Sequence, residues 1–93
     1  MTELSVVRWG ILSTAWINRA IIEGIAMSPR SELIAVASRT QEKVDKYAEK
    51  HAIPRAYGSY VELLADSDVD AVYVSLPNSL HAEWIVKAAR AGK

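Results

Sequence analysis

The sequence contains no cysteine, which excludes a disulfide framework, a thiolate metal site and a cysteine nucleophile and fits a reducing cytoplasm. It has no excess of either charge. Eleven Lys plus Arg stand against eleven Asp plus Glu, and neither sign is gathered into a long block, so a nucleic-acid arm and an anionic-membrane binder are both disfavoured. Long apolar runs are missing too. The opening residues, Met1 to Val7, carry Glu3 and lack the apolar run of about ten residues that a signal peptide needs, let alone a spanning helix. Ser-His-Asp and paired-carboxylate arrangements, metal-ligand spacing and basic stretches interleaved with aromatics are all lacking, so neither a catalytic site nor a metal site is assigned. Glycine is scarce, with four in all and none between Ser13 and Asn18.

What is present is one domain's worth of chain, residues 1–93, with 51% hydrophobic residues and two alternating kinds of segment. Short apolar or β-branched runs suit strands buried on both faces, and longer amphipathic stretches have helical spacing. The strands are Val6 to Leu12, Leu33 to Ala37, a brief edge strand at Arg55 to Tyr57 after Pro54, and Ala71 to Leu76. The first helix is expected to bury Trp16, Ile17, Ala20, Ile21, Ile25 and Ala26, with Asn18, Arg19 and Glu23 turned away. The second runs from Gln41 to His51 on a stripe of Val44, Tyr47 and Ala48. Ser59 and Glu62 have the spacing of a capping box at the start of the third. The fourth spans Leu80 to Ala91, capped by Asn78 or Ser79, with Glu83, Lys87 and Arg90 on its outer face.

Alternation of this kind is the signature of a parallel sheet. Right-handed crossovers then give an α/β, Rossmann-like, partial doubly wound fold, βαβαβαβα with strand order 3-2-1-4. Ligands bind such sheets beside the switch point, at the carboxyl ends of the strands. Here that rim is Ser13 to Trp16 and Leu76 to Asn78.

A dinucleotide turn usually reads G-x-G-x-x-G, because the backbone must turn tightly and approach a pyrophosphate closely. This chain reads Ser13-Thr14-Ala15-Trp16-Ile17-Asn18, with all three glycines replaced. Ser13 and Ala15 are small enough to leave room for a phosphate, and Thr14 can cap the helix or bond a phosphate oxygen. On pattern alone the segment reads first as an ordinary capped strand-to-helix turn. At the end of the second strand, Ser38-Arg39-Thr40 stands where an NAD site normally carries a carboxylate for the ribose 2′-hydroxyl. A guanidinium between two hydroxyls suits a 2′-phosphate, so NADP is favoured over NAD. A surface arginine beside a helix cap is the alternative. His81 lies near the rim but also reads as a packing or surface residue, as does His51. Trp9, Trp16 and Trp84 are read as hydrophobic burial, and Asp66, Asp68 and Asp70 as a turn into the fourth strand.

Four stretches in register, Arg8 to Ala15, Ala37 to Thr40, Ala56 to Tyr60 and Val74 to Glu83, closely resemble the N-terminal domain of the glucose-fructose oxidoreductase, inositol dehydrogenase and rhizopine-catabolism family. The resemblance implies NAD(P)-dependent hydride transfer on a sugar, polyol or related alcohol. It places Ser13, Thr14, Ala15, Trp16 and Ile17 at the pyrophosphate, Ser38, Arg39 and Thr40 at the 2′-phosphate, and Leu76, Pro77, Asn78 and His81 by the nicotinamide ribose. The family's catalytic lysine lies in a Glu-Lys-Pro motif beyond Ala91-Gly92-Lys93, and Lys93 takes no catalytic role.

Three further expectations rest on the resemblance, the strand edge and the composition. The 93-residue polypeptide is a truncated dinucleotide-binding domain without a substrate domain and is inactive alone. The edge of the fourth strand pairs two copies into a homodimer, directly or by exchange of elements. The protein is cytoplasmic, with no nucleic-acid or membrane partner. The alternative is a stand-alone nucleotide-binding or self-associating module without enzymatic activity.

Overall fold

A computed structural model of the chain describes residues 6–15 and 18–93, the side chain of Asn78 excepted. Four parallel strands, β1 (Val7–Leu12), β2 (Ser31–Ala37), β3 (Arg55–Tyr57) and β4 (Ala71–Val74), form one sheet in the order β3-β2-β1-β4. Helices α1 (Asn18–Met27), α2 (Gln41–His51), α3 (Tyr60–Leu64) and α4 (Asn78–Arg90) connect them. The predicted order of elements and strands is the observed one. β1 is central and buries Ile11 and Leu12 completely, as a strand covered on both faces must.

Side chains alternate along the strands and divide the core between the two faces. On one face Ile11, Val36, Val44, Ala48 and Ile53 pack beneath α1 and α2. On the other, Leu12, Ala35, Ala37, Tyr60, Leu63, Val69, Leu76 and Ala88 pack beneath α3 and α4. Gly10 lies where α3 crosses β1, and a β-carbon there would come within 2.9 Å of Leu63 and 3.2 Å of Val69. The register of β1 against β2 shifts between Trp9 and Gly10.

Two expectations about the elements are corrected. In α1, Asn18 is fully buried rather than turned to solvent, whereas Ala20 and Ala26 are exposed and Ile21, Ile22 and Ile25 carry the packing. Residue type alone puts an asparagine on the polar face, but a buried amide is tolerated where it finds a partner. Trp16 and Ile17 lie outside the described residues. In α4 the cap position falls on Pro77, without a side-chain capping bond, and neither Asn78 nor Ser79 occupies it. Proline fixes φ and gives up an N–H that this position does not need.

The smaller differences are at element ends. β4 stops at Val74, although Ser75 N–H still donates to Leu12 O at 3.3 Å. Ser59 Oγ accepts from the Glu62 N–H at 3.2 Å, which is one half of the expected capping box. Asp66, Asp68 and Asp70 do form the turn into β4: Asp66 and Asp68 pair with Arg55, and Asp70 accepts from the Arg8 N–H at 2.9 Å. Lys93 Nζ closes the same turn, donating to Asp66 O at 2.8 Å and Val69 O at 2.6 Å.

Candidate functional site

The carboxyl ends of β1, β2 and β4 open on a cleft of about 320 Å³ lined by Ser13, Thr14, Ala15, Ser38, Arg39, Thr40, Lys43, Tyr60, Leu76, Pro77 and Leu80. The three rim segments picked out in the sequence therefore meet in one place. His81 is not among the lining residues; it is half-buried in the first turn of α4, its N–H donating to Pro77 O at 3.0 Å. Trp16 and Ile17 fall outside the described residues, and of Asn78 the backbone alone is described.

The turn after β1 shows how a dinucleotide-type turn is made without glycine. Ser13 has φ 111°, in the region that favours glycine, a conformation that costs a residue with a side chain about 1–3 kcal/mol unless its surroundings hold it. They do. Ser13 N–H donates to Ala37 O at 2.8 Å, its Oγ accepts from the Ala15 N–H at 3.0 Å, and its carbonyl accepts from Asn18 Nδ2 at 2.9 Å. Across the sheet, Ser13 Oγ lies 3.3 Å from Ser75 O and 3.2 Å from Ser75 Oγ.

The loop after β2 is organised by Ser38, which is buried. Its hydroxyl accepts from the Thr40 N–H at 3.2 Å and lies 3.4 Å from Thr40 O. That local turn sends Arg39 and Thr40 outward as exposed residues. Thr40 occupies the cap position of α2 without bonding the helix through its side chain, and Lys43 follows one turn later on the same rim. Arg39 and Lys43 thus place two cations at the end of β2, and no carboxylate is found among the described lining residues.

Sequence reasoning missed Lys43, Tyr60 and Leu80. Lys43 was within reach, since it stands four residues after Arg39 on a helix whose first turn lies at the rim. Tyr60 and Leu80 gave no such signal. They come together over Leu76 because α3 and α4 share one face of the sheet, with Tyr60 edge-on to Trp84 at 5.1 Å between ring centroids.

The chemistry of this rim is that of a nucleotide site: backbone and hydroxyl groups on a helix-opening turn, two cations for an anionic group, and an apolar wall at Leu76 and Leu80. With a central first strand in a parallel 3-2-1-4 sheet, it defines a Rossmann-like dinucleotide-binding domain. The chain belongs to the Gfo/Idh/MocA oxidoreductase family, NAD-binding Rossmann fold, whose pattern matches residues 7–93.

Among its relatives, the D-xylose 1-dehydrogenase (NADP(+)) 2 of Haloferax volcanii is 44% identical over 84 residues, covering 90% of this chain and 26% of that protein. The trans-1,2-dihydrobenzene-1,2-diol dehydrogenase of Bos taurus is 40% identical over 88 residues, covering 92% of this chain and 26% of that protein. The crystal structure of KijD10, a 3-ketoreductase from Actinomadura kijaniata in complex with NADP and TDP-benzene, superposes with a TM-score of 0.88 at 38% identity, covering 96% of this chain and 27% of that one. The chain spans about a quarter of the length of these relatives.

Proposed function

We propose that this chain is the cofactor-binding portion of an NADP-dependent oxidoreductase acting on a sugar, polyol or related alcohol. The observation that carries the reading is the Arg39 and Lys43 pair at the end of β2, facing a cleft with no carboxylate among its described lining residues. Two cations and a hydroxyl match a dianionic 2′-phosphate, whereas a 2′-hydroxyl is usually held by a carboxylate, and none is found among the described lining residues. A relative named as an NADP(+)-dependent xylose dehydrogenase and a structural neighbour in complex with NADP support the same choice.

In this arrangement Ser13, Thr14 and Ala15 face the pyrophosphate, Ser38 organises the loop that presents Arg39 and Thr40 to the 2′-phosphate, and Lys43 adds the second charge. Tyr60, Leu76 and Leu80 wall the adenine, and Pro77, Asn78 and His81 border the nicotinamide ribose. The bound nicotinamide supplies the hydride chemistry. Residues 1–93 act as one dinucleotide-binding unit; of the described lining residues, Lys43 and Tyr60 can exchange a proton, and both are assigned here to the 2′-phosphate and adenine end of the cofactor.

Titration of the chain with NADPH and with NADH, followed by nicotinamide fluorescence, tests the cofactor assignment. NADPH is expected to bind at least about tenfold more tightly, the least that a charge-assisted bond to the phosphate contributes. Equal affinities, or tighter binding of NADH, would overturn the reading.

A further inference from the structure

Asn18 stands at the third glycine position of the turn and is fully buried. Its Nδ2 donates to the Ser13 carbonyl at 2.9 Å, while its Oδ1 is buried and has no hydrogen-bond partner among the described residues. A buried amide with half its capacity unmet is a poor stabiliser, since an apolar residue of its size would leave nothing unpaired. What Asn18 does contribute is a fixed direction for the Ser13 carbonyl.

That direction has a consequence at the cleft. The carbonyl of Ser13 and the N–H of Thr14 belong to one planar trans peptide and point to opposite sides of it. Holding the carbonyl toward the start of α1 aims the Thr14 N–H away from the helix, and Thr14 lines the cleft. No backbone partner for that N–H is found among the described residues. The neighbouring Ala15 N–H is already taken by Ser13 Oγ.

We infer that Asn18 is a positioning residue for the phosphate turn: by fixing the Ser13 carbonyl it holds the glycine-like conformation of Ser13 and presents the Thr14 N–H to the pyrophosphate. The inference rests on the proposed dinucleotide reading of the cleft. Ser13 and Asn18 then form a coupled pair in which one residue adopts an unfavourable φ and the other keeps it there. In a turn with glycine in place of Ser13 the second residue is unnecessary, because glycine reaches that φ unaided.

The test compares wild type with Asn18→Ala, Asn18→Gly, Ser13→Gly and the Ser13→Gly/Asn18→Gly double variant. Asn18→Gly guards against misfolding, since glycine is the residue such turns ordinarily carry there. Two quantities are read: NADPH affinity, and amide hydrogen exchange at Thr14 and Ala15 without ligand. Both single Asn18 variants are expected to weaken NADPH binding by about tenfold, the worth of one hydrogen bond to a charged phosphate. Exchange at Ala15 should rise by a similar factor as Ser13 Oγ loses its fixed place. With Ser13→Gly in the background, removing Asn18 should change affinity by less than about threefold, because the effects of residues acting as one unit are not additive.

Asn18 variants that lose thermal stability but keep wild-type affinity and wild-type exchange at Ala15 would overturn the inference and leave Asn18 as packing. Equal losses with and without the Ser13→Gly change would also overturn it. Should wild type itself fail to bind NADPH, the dinucleotide reading fails with the pyrophosphate role of Asn18, while the exchange data still decide whether Asn18 holds the turn.

Discussion

Arg55 grips Asp66 with one nitrogen on both carboxylate oxygens, at 2.9 and 2.8 Å, and Tyr57 donates its hydroxyl to the same carboxylate at 2.6 Å. The Asp66 side chain is only 8% exposed, and Arg55 reaches on to Asp68 at 2.9 Å. The edge strand β3 is thereby bound to the turn that leads into β4. The Tyr57 hydroxyl and the Arg55 guanidinium hold Asp66 down at about 2, and the carboxylate in turn raises the Tyr57 hydroxyl and Arg55 above their usual values.

A carboxyl group whose folded value is depressed stabilises the fold above its ordinary range and loses that contribution as pH falls through the folded value. Stability should therefore hold above about pH 4 and fall between about pH 4 and 2. Asp66→Asn is expected to lower stability at neutral pH by about 2 kcal/mol, from lost charge-assisted hydrogen bonds, and to flatten the acid limb. Thermal melts of both proteins from pH 7 to pH 2 check this, and parallel profiles would count against it.

Gly10→Ala should be destabilising without touching the cleft. The added methyl meets Leu63 and Val69, both in the core, and overpacking of this kind costs about 1–3 kcal/mol. Urea unfolding should show a lower midpoint with an unchanged slope.

Replacing either cation at the end of β2 should separate the two cofactors. Arg39→Ala is expected to weaken NADPH binding by about 10- to 100-fold, the range for one or two hydrogen bonds to a charged group, and to leave NADH nearly unaffected. Lys43→Ala should act in the same direction and more weakly, since a lysine approaches a phosphate as a point charge without a bidentate fork. A uniform loss for both cofactors would place these residues elsewhere on the ligand.

The 93-residue polypeptide is expected to bind NADPH yet show no turnover with NADP and a panel of sugars and polyols. Measurable turnover would overturn the reading of residues 1–93 as a cofactor-binding portion alone.

Self-association is the remaining expectation. β4 lies at one edge of the sheet and carries Ala71, Val72, Tyr73 and Val74 without a charged residue, the kind of edge that pairs with another strand. Light scattering should show mass rising toward that of a dimer through the micromolar range. A constant monomer mass at high micromolar concentration would exclude pairing through this edge.

Much of this molecule was legible from local pattern. The strand and helix alternation, the span of α2 and the three rim segments follow from periodicity and capping residues, which are properties of a short stretch of chain, and the 3-2-1-4 order follows once right-handed crossovers are combined with a doubly wound topology. The place of Ser38-Arg39-Thr40 on the rim was equally legible, because it follows from the end of the second strand.

What the tertiary structure decided was how residues far apart, or unlike the usual motif, do their work. No spacing rule brings Tyr60 and Leu80 to the cleft or Arg55 onto Asp66, because those contacts depend on which helices share a face of the sheet. Ser13-Thr14-Ala15 fails as a glycine motif in sequence, yet Ser13 takes the glycine conformation because Ala37 in β2, Asn18 in α1 and Ser75 just past β4 hold it. Residue type set which conformations were easy, and long-range hydrogen bonding selected a costly one.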